Sequence, residues 1–421
     1  MILFNKGQYL KQHATKLILI SVMLAIIAGI YLPELCISIK FLGDIFINLL
    51  KLFALPLIIS ALIASIGSMG QNMGQLKILA RNIITYMLLS EIIAVTIALV
   101  LFNILQPGVG VNPDLITHQA AYTVSSHQEL NLSNFLLSIF PDNIFDSLTK
   151  FELLPVVAFS IMFGIGCSLV GDKAQSVLTL FSSIRDITNT CLQGVMRLAP
   201  IGIFALISNS IAISYQNGSL INDMHALLTF VTVLIIGLLL HVLWQLIFVV
   251  ITTKQSPLRV FIDSIPVFLS AFATSSSVAS LPIAIETANK LKANAEVTKL
   301  MLPLCASINI GGMMMYEVAA ALFFSQVLGI HLSIGYQILL AIACILGGMA
   351  EGGIPETSLV SLVVVFKIVN VPLSAISILL PLDRILDRIR TMANIFGNMC
   401  GTIIVSHFLN KKNINNSSDS R

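Results

Sequence analysis

PLDRILDRIRTMANIFGNMCG, residues 381–401, carries Asp383, Asp387, Arg390, Asn394 and Asn398 through an otherwise apolar run. The spacings of four, three, four and four place all five on one stripe of an α-helix, at about 100° per residue. SAISILLPL before the stretch and GTIIVSHFL at its end are hydrophobic enough for a bilayer. An ionised side chain at such a depth costs about 2.5–3.5 kcal/mol on insertion scales, so charges of this kind mark ion or substrate pathways. A charge ladder on a water-exposed helix is the competing reading, and the lipid-like flanks argue against it.

Composition extends that reading to the whole chain. Of 421 residues, 57% are hydrophobic and 10% charged, against about 25% charged in soluble domains; the mean hydropathy is +0.95. These residues cannot build the polar shell of a soluble protein this large, and the class that remains is a polytopic α-helical membrane protein. The net charge of +3 comes without a basic run long enough for nucleic acid. Six scattered cysteines, none in CxxC, read as small apolar residues rather than a disulfide frame or metal site, and seven histidines show no ligand spacing. No cofactor is expected. The basic start MILFNKGQYLKQHATK has no small-residue cleavage site after its apolar run, so it reads as a retained first span.

Apolar segments near the spanning length of about 20 residues run over 14–32, 41–70, 82–106, 154–171, 178–212, 222–252, 296–328 and 372–408. Several exceed one perpendicular crossing, which implies tilt or breaks. Two more, 257–290 and 334–368, are interrupted midway by Ser, Gly and Pro, the pattern of a hairpin that enters and leaves by one face. Each precedes a long helix, so 257–328 and 334–408 form corresponding halves, the sequence pointer to a transporter's midplane site. Two ordinary kinked helices are the plainer alternative. Lys and Arg gather near both termini and around Lys77, Lys254 and Lys290, and are absent from 106–134. The positive-inside rule then puts both termini in the cytoplasm and 106–134 outside. The tail 409–421 is polar and short.

The interruptions carry the polar chemistry. The first has a tip TSSSVASLP (274–282), whose small residues expose backbone amides suited to a carboxylate. The following helix breaks at Asn309 and the Gly311–Gly312 pair, with Glu317 one to two turns on. In the second, Glu351 and Glu356 flank a Gly-Gly-Ile-Pro turn.

SSSVASLP (275–282), NIGGMMMYE (309–317), EGGIPET (351–357) and DRILDRIRTMANIFGN (383–398) occur in this order along the chain. Together they resemble the dicarboxylate/amino acid:cation symporter family. LKLFALPLIISALIASIGSM (50–69) and VMRLAPIGIFALIS (195–208) are similar to its scaffold. The resemblance implies eight transmembrane helices and two re-entrant hairpins in inverted repeats, an elevator mechanism and a homotrimer. Residues 1–252 would be mainly scaffold, with the third span (82–106) joining the transport domain of 253–408. The membrane would be a bacterial inner membrane, and the activity transport rather than catalysis.

Residue by residue, Asp387 matches the aspartate that pairs with a substrate amino group, and Arg390 the arginine for its side-chain carboxylate, where a planar fork suits bidentate binding. Asn394 matches the asparagine that takes the α-carboxylate, with backbone at Ser276, Ser277 and Val278. Thr391, Met313 and Gly353 fall at further substrate positions. Arg388 with Ser275 is similar to the animal arrangement. Asp387 with Arg390 implies an acidic amino acid, glutamate or aspartate; Asp383-Arg384 and Gly397-Asn398 look more like the C4-dicarboxylate branch.

The chain departs from the family at the cation sites. Asn-Met-Asp-Gly-Thr is here Asn309-Ile310-Gly311-Gly312-Met313, and a late sodium-binding aspartate is Asn398. Glu91 stands where relatives carry a sodium-ligating hydroxyl, and Glu351 where they carry a small or hydroxyl residue. Glu317 matches a glutamate implicated in proton coupling. A carboxyl in a poorly hydrated site can carry a proton at neutral pH, so protons are expected as the main coupling ion, through Glu317, Glu91 and Glu351, with a rebuilt sodium site as the alternative.

Overall fold

The computed structural model describes residues 17, 20–69, 77–113, 140–150, 153–218, 220–348 and 358–418, and contains no strand among them. The N-terminal part runs α1 (Ile20–Tyr31), α2 (Pro33–Ser38), α3 (Lys40–Met69) and α4 (Lys77–Leu105). Then follow α5 (Ile144–Lys150), α6 (Leu153–Val170), α7 (Gln175–Met196), α8 (Ala199–Gln216) and α9 (Leu220–Thr253). The C-terminal part comprises α10 (Pro257–Asp263), α11 (Ile265–Thr274), α12 (Leu281–Lys290), α13 (Ala295–Ile308), α14 (Gly311–Val327), α15 (Ile334–Gly348), α16 (Ser358–Ile368) and α17 (Ile376–Ser418). Among the described residues six helical spans are long and apolar enough to cross a membrane, or seven if the bent α10–α11 pair is one span. The protein is therefore an all-helical, multi-pass membrane protein. At 1.5 Å per residue the 34 residues of α9 reach about 50 Å, more than a perpendicular crossing requires.

The apolar segment 178–212 is not one helix. It divides into α7 and α8 at the turn of Arg197 and Leu198, because Pro200 in the first turn of α8 has no N–H to continue a preceding helix. The segment 296–328 breaks where Asn309 and the glycines stand: Asn309 (φ −92°, ψ 84°) and Ile310 (φ −120°, ψ 49°) leave helical geometry between α13 and α14.

The first interrupted segment is a helical hairpin. Ser270 Oγ donates to Ser280 Oγ (3.2 Å) near its tip, while Lys290 pairs with Asp263 (2.7 Å) and Gln255 Nε2 donates to the Leu291 carbonyl (2.9 Å) at its base. The arms α15 and α16 of the second also pack together; their joining tip, with Glu351, Gly353 and Glu356, lies outside the described residues.

Packing separates two groups of helices. α3 lies against α6, α7 and α8, whereas α4 and α9 pack on α14 and α17. The most apolar window of Ala295–Val327 is 94% buried, against 33% for Leu220–Thr253. The interrupted span is thus interior and the long α9 largely faces outward. A second apolar cluster, from Ile83 and Tyr86 through Val267, Cys305 and Ile404, seats the first hairpin on α4, α13 and α17.

Candidate functional site

The polar stripe of α17 faces inward, and its centre is Arg390. This side chain is 1% exposed. Its Nη2 lies 2.6 Å from Asp383 Oδ1 and 3.5 Å from Asp387 Oδ1, and its Cζ sits 4.0 Å from the centroid of the Tyr316 ring on α14. A guanidinium held in a fork on one edge and against a ring on one face is oriented before any ligand arrives. Its Nε and Nη1 have no hydrogen-bond partner among the described residues. These N–H groups therefore remain to donate to an incoming acceptor. Asp383 is positioned in turn by Ser358 Oγ, at the start of α16, 3.1 Å and 3.3 Å from its two oxygens.

One helical turn along, Asn394 accepts from the Gly312 N–H at 2.7 Å. That bond uses the amide oxygen, so the Nδ2 end is left to donate. It also explains Gly312: a Cβ there would lie 2.9 Å from Asn394 Oδ1 and 3.1 Å from the Arg390 carbonyl. The N-terminus of α14 can approach α17 this closely only without a side chain. Met313 is buried just beyond. Thr391 is also buried, its hydroxyl bonded back to the Asp387 carbonyl at 2.7 Å.

The first hairpin reaches α17 beside the stripe, at Arg388. Ser275 takes left-handed geometry (φ 50°) and ends α11, whose Phe272 carbonyl accepts from Arg388 Nη1 at 2.9 Å. A cation at this helix C-terminus meets its dipole favourably. Ser276 and Ser277 are buried and Val278 is exposed. Ser276 Oγ accepts from the Ala279 N–H, and its carbonyl accepts from Ser280 Oγ at 3.1 Å. A cavity of about 500 Å³, lined by Asn103, Gln326, His331 and Gln337, lies at the C-terminal ends of α4 and α14, not at Arg390.

The cation-related residues form a separate seam. Asn309 Nδ2 donates to Asn398 Oδ1 at 2.7 Å, closing the helix break against α17. Glu91 on α4 is fully buried, and neither carboxylate oxygen has a hydrogen-bond partner among the described residues. Cys305, one turn before Asn309, is near enough to interact electrostatically with Glu91. Glu317 is fully buried on α14. The structure thus gathers Asp387, Arg390, Thr391, Asn394 and Met313 along α17 and α14, and Glu91, Asn309 and Asn398 in the seam.

Several residues here escaped sequence reading as site members. Tyr316 supplies the ring under Arg390, and Ser358 positions Asp383, a member of the stripe whose pairing with Arg390 the spacing did not show. Tyr86 Oη donates to the Gly397 carbonyl at 2.7 Å, joining α4 to α17. Ser90, His241 and Gln245 line the seam from α4 and α9. The available signal was a histidine and a glutamine four residues apart in an apolar helix, an expensive pair without a purpose.

A multi-pass helical bundle with a charged, enclosed site beside a broken helix is the architecture of a secondary transporter. The chain belongs to the sodium:dicarboxylate symporter family, whose sequence pattern matches residues 14–408. It is 30% identical over 401 residues to the proton/sodium-glutamate symport protein of Geobacillus stearothermophilus, covering 92% of this chain and 93% of that one. It is 29% identical over 381 residues to the proton/glutamate-aspartate symporter of Escherichia coli K12, covering 88% and 85%. It is 31% identical over 406 residues to C4-dicarboxylate transport protein 2 of Mesorhizobium japonicum, covering 93% and 88%.

Proposed function

We propose that this protein is a secondary active symporter for an acidic amino acid, glutamate or aspartate, driven mainly by protons. The observation that carries the reading is the buried Asp383–Arg390–Asp387 group. Two carboxylates against one guanidinium give the ionised site one net negative charge. A dicarboxylate dianion adds two like charges to it, whereas the ammonium of an amino acid offsets one of these beside Asp387. In this reading the Arg390 guanidinium takes the distal carboxylate through N–H groups left unpartnered in the site. Asn394 Nδ2 and the backbone at Ser276, Ser277 and Val278 take the α-carboxylate, with Thr391, Met313 and Gly353 completing the pocket. Glu91, Glu317 and Glu351 carry the coupling charge, with Asn309 and Asn398 beside them. The names of the glutamate-transporting relatives support the substrate.

Symport of a C4-dicarboxylate is the second reading, favoured by the 31% identity to a relative of that name. Sodium coupling is its counterpart on the ion side.

The proposed mechanism is alternating access by an elevator, in a homotrimer with eight transmembrane helices and two re-entrant hairpins per chain, in a bacterial inner membrane with both termini cytoplasmic. Residues 1–252 are mainly scaffold and 253–408 the transport domain; the packing of α4 and α9 on α14 and α17 supports counting both with the moving body. The test is uptake of labelled L-aspartate, L-glutamate and succinate into proteoliposomes under separately imposed proton and sodium gradients. Concentrative aspartate or glutamate uptake under the proton gradient alone is expected. Strict sodium dependence would overturn the ion assignment, and uptake of succinate alone the substrate.

A further inference from the structure

The seam between α4, α9, α17 and the α13–α14 break holds more buried acceptor oxygen than its donors satisfy. Glu91 Oε1 and Oε2, Gln245 Oε1 and Asn309 Oδ1 are all buried without a hydrogen-bond partner among the described residues, against one such donor, Asn398 Nδ2. Buried polar atoms of this kind are costly. An excess of acceptors is relieved by a small positive ion or by a proton. Gln245 is the least expected member, because it comes from α9. Its side chain is 1% exposed. Gln245 Nε2 lies 3.4 Å from Nδ1 and 3.3 Å from Nε2 of His241, near-equal distances that place it over the imidazole face rather than in the ring plane. The amide oxygen has no hydrogen-bond partner among the described residues. Trp244 stacks on His241 at 5.9 Å between centroids, and Ser90 Oγ lies 3.5 Å from its Nε2. The imidazole also occupies the space beside Gly311, where a Cβ would stand 3.1 Å from both His241 Cε1 and Ala94 Cβ. On the α17 side, a Cβ on Gly397 would collide with the Gln245 carboxamide, closest to its Nε2 and 3.3 Å from its Oε1. Two glycines thus leave the room in which His241 and Gln245 sit.

We infer that α9 contributes to the coupling-cation site: Gln245 supplies an acceptor oxygen to the ion held at Glu91, and His241 is the positioning residue that holds the Gln245 amide. The inference rests on the symport reading above and takes a proton or a monovalent cation as the ligand. The titratable groups facing the seam are Tyr86 and Glu91 from α4, His241 from α9, Cys305 from α13 and Cys400 from α17. Neither lysine nor arginine pairs with Glu91 among the described residues.

The test uses the full chain in proteoliposomes and the concentration of driving ion that gives half-maximal uptake, read as pH for protons and as millimolar for sodium. Gln245→Met keeps length and removes the oxygen. It is expected to raise the required ion concentration about tenfold, or one pH unit to the acid side, the worth of one hydrogen bond. In Glu91→Gln the ion response is expected to be lost, and adding Gln245→Met should then change substrate exchange less than twofold, because the two residues serve one ion. Exchange of labelled for unlabelled substrate reports folding. Exchange likewise checks Gln245→Leu, which also lacks the oxygen and carries the same test if Gln245→Met does not assemble. A lowered maximal rate with the half-maximal ion concentration unmoved would assign Gln245 a packing role and overturn the inference. So would an effect of full size on the Glu91→Gln background. Sodium-driven uptake in the unaltered protein would defeat the proton reading alone, since the Gln245→Met shift would then appear in the sodium titration.

Discussion

Arg390 is fully enclosed yet uses only one nitrogen on protein carboxylates; Ser358 orients Asp383, one of those carboxylates, and the Tyr316 ring covers a face of the guanidinium. Charge is therefore arranged in advance of the ligand, which lowers the cost of ordering on binding. Asp387 is the residue whose role separates the two substrate readings. An ammonium–carboxylate hydrogen bond is worth about 1.5–3 kcal/mol, or roughly 10- to 150-fold in affinity. Asp387→Asn should weaken aspartate and glutamate uptake by a factor in that range while sparing or improving succinate, measured as KM in competition assays. Equal losses for all three would mean that Asp387 acts only by orienting Arg390.

At the scale of elements, the α13–α14 break and the first hairpin deliver backbone to α17. The contact at Gly312 has no spare room, since Asn394 Oδ1 and the Arg390 carbonyl both stand within 3.1 Å of where a Cβ would lie. Gly312→Ala should cost about 1–3 kcal/mol through forced separation of the helices, read as a lowered thermal unfolding midpoint in detergent, together with impaired substrate binding. Wild-type stability and binding in that variant would show that α14 can withdraw from α17 without consequence. Much of this level was legible in sequence: Ser, Gly and Pro interrupting apolar runs announced the breaks at 275–280 and 309–310. The division of 178–212 was not, because hydropathy averages over the two-residue turn at Arg197–Leu198 and only Pro200 marks it.

For the whole molecule, outward-facing apolar residues such as Leu52, Leu239, Leu243 and Ile251 suit lipid or neighbouring copies. The proposed homotrimer predicts a particle holding three chains of 45.6 kDa, which native mass spectrometry in detergent would count; a monomer or dimer would refute it. The sequence by itself determined the class of protein, the interrupted helices and the inward stripe of Asp387, Arg390 and Asn394, because hydropathy and helical periodicity are local quantities. Only the tertiary structure decided what those residues touch: that Tyr316 and Ser358 brace the Arg390 group, and that α9 brings His241 and Gln245 beside the helix break. Contacts around this site join residues as much as 311 positions apart, as Tyr86 and Gly397 are, and packing in three dimensions, not spacing along the chain, sets which side chains share one buried, low-dielectric space.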